Sequence, residues 1–183
     1  MSEAWIRTFS GKMFDLLDPQ PEMIYIEDIA HAGSQMNRFT GHCRFPYPVT
    51  QHERLGSYLV PEEHALQFLL HDASESYLGD MNRPLKHFTD AGIAYQVVEA
   101  KIQALIYDVF GLSAIEAPIV KEIDNRMLYA EKRQLMPTPD FIRDVRRFDF
   151  RWSKDTKAAN VEIVETSFVD NKRMFLERFY QLK

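Results

Sequence analysis

A histidine and an aspartate, His71-Asp72, stand inside a run that is otherwise apolar at helical spacing. Ala65, Leu66, Phe68, Leu69, Leu70 and Ala73 form one wide face between Pro61 and Gly79. A helix of this kind must be deeply buried, and an ionised carboxylate within it is very costly unless something compensates its charge. On an unbroken helix Asp72 lies about 100° round from His71, and Glu75 falls about 40° from His71, between the two. Three potential ligands or acid/base groups would then share one helical sector. A His-Asp dipeptide alone arises readily by chance, so its setting carries the weight.

The rest of the chain supplies the surroundings that such a helix needs. Trp5 to Phe9 and Lys12 to Leu17 flank Ser10-Gly11 and read as a short β-hairpin. Asp28 reads as the N-cap or first-turn acid of a helix that ends near Arg38, and Phe39 to Pro48 reads as a structured loop. Val49 to Val60 and Glu62 to Leu78 read as helices separated by Pro61. Asp90 to Phe110 and Ser113 to Met136 repeat the helical period across Gly111, and Ser167 to Leu182 reads as a closing amphipathic helix. The stretch from Pro137 to Ser167 shows no clear period. The expectation is an all-α bundle with a short N-terminal β-hairpin, folded as a single domain over residues 1–183.

Composition narrows the chemistry. The formal charge of -5 argues against a broad basic surface, and so against long nucleic acid as a partner. Cys43 is the one cysteine, which excludes an intramolecular disulfide and a thiolate cluster. No run approaches the roughly 20 apolar residues of a membrane span, and the N-terminus lacks a signal-like pattern, so the expected location is cytoplasmic. Any metal must use histidine and carboxylate donors. His52 on the preceding helix and Asp124 on a later one, where Val120, Ile123, Met127 and Leu128 mark the inward side, can join His71 and Asp72 in a bundle core. A nitrogen and oxygen set of this kind suits Zn, Mn, Fe, Co or Ni and leaves positions for water and a phosphate oxygen. Spacing alone supports equally a cluster of buried polar residues bonded to one another.

The order His52, His71-Asp72, Asp124 resembles the metal-binding signature of the HD superfamily. The likeness extends through Thr8-Phe9-Ser10-Gly11, Asp28-Ile29-Ala30-His31, Arg38-Phe39-Thr40-Gly41-His42, Tyr47 to His52, His71 to Tyr77, Pro84-Leu85-Lys86 and Met174 to Phe179. These segments are similar to phage and prophage HD phosphohydrolases, and so to bacterial HD-domain 5'-deoxynucleotidases and phage dATP triphosphohydrolases. Pro48 and Thr50-Gln51 depart from the small or acidic residues usual before the first histidine.

The resemblance implies an HD-type helical bundle that holds one divalent transition metal on His52, His71, Asp72 and Asp124. It implies that Glu75 and Asp80 assist the attacking water or hold a second divalent ion near the phosphate. It makes Arg38 and Lys86 phosphate-binding cations, and Phe39 a ring near the sugar or base. Tyr77, one turn past the dyad, is either a base-stacking ring or a core residue. His42 is open between a loop contact and an auxiliary site role; His31 and Glu131 read as helix-packing hydrogen bonds. The activity implied is hydrolysis of 2'-deoxynucleoside 5'-monophosphates, the alternatives being release of triphosphate from a dNTP, with Arg44 and Arg83 as further cations, or nucleotide binding without turnover. A small nucleotide is the expected partner, and a homo-oligomer is expected on family grounds.

Overall fold

Phe14 packs without exposed surface between helices distant in sequence, and that contact explains why the hairpin belongs to the body of the protein. In a computed structural model, which describes residues 3–137 and 157–183, strand β1 (Trp5–Arg7) pairs antiparallel with β2 (Met13–Asp15), Ile6 opposite Phe14. Gly11 takes φ 81° in the connecting turn, a conformation that glycine adopts without cost. Ser10 donates to the buried Asp28 carboxylate through both its amide, at 2.7 Å, and its hydroxyl, at 2.8 Å. Asp28 is thus a first-turn acid whose carboxylate anchors the hairpin.

Eight α-helices follow among the described residues: α1 (Ile26–Gly33), α2 (Val49–Gly56), α3 (Glu62–Leu69), α4 (Glu75–Leu78), α5 (Arg83–Phe88), α6 (Asp90–Val109), α7 (Pro118–Leu135) and α8 (Phe168–Leu182). The mostly helical fold with its N-terminal hairpin agrees with the sequence expectation. One apolar cluster joins Phe14 to Ile29, Leu69, Leu70, Ile102, Ile106 and Phe175; a second joins Phe68 on α3 to Val120, Ile123 and Met127 on α7. Where α2 crosses α3, a Cβ on Gly56 would lie 2.0 Å from the Phe68 ring, so glycine permits the close approach that brings His52 toward His71. Residues 157–166 run without regular structure along α7, where Gln134 accepts from the Ile163 amide at 3.0 Å and donates to the Val161 carbonyl at 2.8 Å. The charge clusters from Arg143 to Arg151 lie outside the described residues.

Two boundaries differ from the sequence reading. The helix begun at Ile26 stops at Gly33 and not near Arg38; the chain then closes a loop by the bridge between Asn37 and Pro48 and by Arg38 N–H donating to the Tyr47 carbonyl at 2.9 Å. The expected helix from Glu62 to Leu78 is two helices, broken by turns at residues 70–74, so His71 and Asp72 sit at the break. The break exposes backbone groups that must find partners in a dry interior. Gln103 of α6 supplies them, donating to the Leu70 carbonyl at 2.7 Å and accepting from the Ser74 amide at 3.1 Å.

Candidate metal centre

Because the helix is broken, Asp72 does not point 100° away from His71; both meet at one point. His71 Nε2 lies 3.3 Å from Asp72 Oδ2, and His52 Nε2, carried by α2, lies 3.3 Å from His71 Nε2 and 3.8 Å from Asp72 Oδ2. The ligand atoms of His52, His71 and Asp72 all fall within 4.8 Å of one another, a group that can hold a metal ion. From α7, Asp124 brings Oδ1 to 3.5 Å from His52 Nε2 and 3.8 Å from His71 Nε2. Donors at about 2.0–2.2 Å from a common ion are separated by roughly 3–3.5 Å, close to the spacing of these atoms.

The other face of each imidazole decides what its Nε2 can do. His71 Nδ1 lies 2.7 Å from the Phe68 carbonyl, which only accepts, so Nδ1 carries the proton. His52 Nδ1 lies 2.6 Å from Glu131 Oε1, where a buried carboxylate accepts in the same way. Both neutral rings therefore direct Nε2 lone pairs into one space, facing each other and two carboxylates. Such an arrangement requires positive charge between them, and orientation of a ligand histidine by a carboxylate or carbonyl is the usual support of a metal site.

The electrostatics agree. Burial lowers the His71 pKa, but Asp72 and Asp124 outweigh it and push the value up to about 10. Burial would raise Asp72, yet His71, Arg38 and His52 hold it below the ordinary carboxylate range, and Asp124 is held well below it, by His71 and Lys121 in particular. The centre binds a cation, and without a metal a proton fills that role.

Arg38 is almost enclosed, with NH1 donating to Asp72 Oδ2 at 3.0 Å and Nε 3.4 Å from Glu131 Oε2. It ties the acid that orients His52 to the acid beside His71. Glu131 also accepts from Tyr47 OH at 2.9 Å and is held below the ordinary range, where burial is overcome by Arg38 and His52. Its packing hydrogen bond thus falls on a candidate ligand, which spacing could not reveal. Glu53, next to His52, was missed altogether: it is buried, accepts from the Asp72 amide, and is pushed well above the ordinary range by burial. Lys121 donates to Asp124 Oδ2 at 2.7 Å and keeps a largely exposed side chain.

Glu75 lies buried in the first turn of α4, and burial together with Asp72 and Asp80 raises its carboxyl well above the ordinary range. Asp80, partly buried, is raised by burial and by Asp72 against Arg38 and Lys86. Lys86 is paired with Glu99 of α6 at 2.6 Å. Phe39 is half-buried with φ 56°, followed by Thr40 at φ 54°, a left-handed pair unusual outside glycine; its ring lies 5.9 Å from the Arg38 guanidinium. Tyr77 is stacked on Phe14, 3.9 Å between ring centres, as a member of the core. His42, Arg44 and Arg83 are exposed, whereas His31 stacks on Phe9 at 3.6 Å on another part of the surface.

No helix among the described residues is long and apolar enough to cross a membrane. No family model matches the chain. It is 41% identical over 132 residues to the uncharacterized protein YfdR of Escherichia coli, covering 72% of each chain, and 38% identical over 133 residues to an uncharacterized protein of Rhodobacter capsulatus, covering 67% of each. At that identity and coverage, the chain belongs to the family of these two bacterial proteins.

Proposed function

We propose that the protein is a metal-dependent phosphohydrolase of the HD type that cleaves 2'-deoxynucleoside 5'-monophosphates to deoxynucleoside and phosphate. One observation carries this reading: two imidazoles with both Nδ1 atoms committed turn their Nε2 atoms on one point, 3.3 Å apart, beside Asp72 and Asp124. In this reading His52, His71, Asp72 and Asp124 hold one divalent transition ion, Zn, Mn, Fe, Co or Ni. When bound, such an ion polarises a phosphoryl oxygen and makes water acidic enough to attack at neutral pH.

The other residues act on the phosphate and its leaving group. Asp80, its carboxylate made more basic by burial, accepts a proton from the attacking water as the new oxygen–phosphorus bond forms. Glu75 keeps its proton because burial and neighbouring acids oppose ionisation, and it donates that proton to the ribose 5'-oxygen as the phosphorus–oxygen bond breaks. Arg38 holds Asp72 and Glu131 in place and presents its charge toward the phosphate, with Phe39 beside it for the sugar or base. Alternatively, Glu75 and Asp80 together hold a second divalent ion.

A monophosphate is favoured over a triphosphate because Arg38, Lys86 and Lys121 are each paired with a carboxylate, leaving little unbalanced positive charge for a longer phosphate chain. The test is a panel of all dNMPs and dNTPs with Mn, Co, Zn and Mg, products resolved into phosphate and triphosphate. Phosphate from dNMPs is expected; triphosphate from dNTPs would transfer the reading to a triphosphohydrolase, and no turnover with any metal would end it.

A further inference from the structure

Helix α6 is apolar on more than one side. Its 20 residues bury Gly92, Ile102, Ile106 and Tyr107 against the protein. Its opposite side leaves Ile93 61% and Val97 70% exposed, with Ala91, Ala94 and Ala100 also bare. No exposed position between Asp90 and Lys101 carries a charge, since Glu99 faces inward to Lys86. A helix apolar all round belongs in an interior, and here half of that interior is missing from the single chain. Leu85 and Phe88 of α5 add to the same surface, which amounts to about 400 Å² of contiguous apolar area, the size at which a patch generally marks an interaction site.

We propose that this face is the seam of a two-fold homodimer in which α6 packs antiparallel on the α6 of a second copy. Its pattern is self-complementary, as a two-fold interface requires. With Val97 on the axis, the partner's Ala100 lies opposite Ala94, and Ile93 packs beside that same small residue, so branched side chains meet alanines and the helices approach closely. The same register brings Asp90 within one turn of the partner's Lys101; Lys101 also donates to the Leu17 carbonyl at 2.6 Å yet remains half exposed. Antiparallel packing sets the helix dipoles in opposition. Two such patches bury about 800 Å² of apolar core, and their polar rims bring the total to the roughly 1,200 Å² or more of a stable interface. An unpaired nucleic acid or acidic partner finds no cation on this face.

Sedimentation of the full chain tests the proposal independently of any enzymatic activity. Wild type is expected at twice the chain mass at micromolar concentration. Val97→Glu is expected at one chain mass, with the helical circular dichroism spectrum of wild type, because the substituted side chain is exposed in the single chain. Val97→Lys is likewise expected as a monomer, and mixing it in equal amounts with Val97→Glu should restore the dimer by pairing opposite charges across the axis. A wild type that remains one chain mass at every concentration overturns the proposal, whatever else covers the face. So does a Val97→Glu variant that remains dimeric, and a failure of the mixture to associate overturns the antiparallel register about Val97.

Discussion

His52 Nδ1 and Glu131 Oε1 lie 2.6 Å apart with neither side chain exposed, a bond between residues 79 positions apart. It fixes the imidazole so that Nε2 faces His71, and Arg38 shares the same carboxylate group. Glu131→Gln retains an acceptor but removes the charge, weakening both the orientation of His52 and the compensation of Arg38. Metal affinity should fall about 10- to 100-fold, the usual effect of losing a group that orients a ligand. Competition with a graded series of chelators measures it; an unchanged affinity would separate Glu131 from the centre.

His71→Ala and Asp72→Ala should each lose the metal that wild type retains at about one ion per chain. His87→Ala, on the exposed side of α5, should keep it. Elemental analysis after gel filtration reads the outcome, and equal loss in all three variants would indicate a general folding defect.

Neutralising Glu75 to Gln or Asp80 to Asn should lower kcat by roughly 10²- to 10⁴-fold while metal content stays near one, because both are assigned to proton transfer. Near wild-type turnover in both variants would remove them from the reaction. Loss of metal in both would instead place them among its ligands.

The metal-free protein should lose stability as pH rises from neutral. His71 is raised from 6.5 to about 10 in the folded chain, so the stability it contributes is complete below 6.5 and is lost as pH passes through about 10. Glu75, raised by burial, acts in the same direction above its ordinary range. Asp72, Asp124 and Glu131 are lowered, so their contribution is present above the ordinary carboxylate range and is lost on acidification. Bound metal displaces the His71 proton and should flatten the alkaline fall. Thermal melts across this range, with and without metal, decide the point; an identical alkaline fall in both forms would mean that His71 does not meet the ion.

Gln103→Ala should destabilise the protein by about 2–4 kcal/mol, since it leaves both the Leu70 carbonyl and the Ser74 amide without their partner in a buried turn. Urea unfolding at fixed metal gives the number. A loss below about 0.5 kcal/mol would show that the break in the helix is held by other contacts.

The sequence by itself determined the helical class, the N-terminal hairpin and the order of the donors His52, His71, Asp72 and Asp124, because apolar period, glycine turns and residue type are local properties. Only the tertiary structure decided that the helix carrying His71 and Asp72 is broken. Its period runs on through residues 70–74, while the groups that satisfy the break, Gln103 and Glu53, come from distant helices. In the same way Glu131 became the partner of His52, Arg38 the link between two acids, and Tyr77 a core ring on Phe14. The physical reason is that a hydrogen bond or a buried ion pair depends on which remote side chain arrives within about 3 Å, and packing sets that distance where spacing along the chain does not.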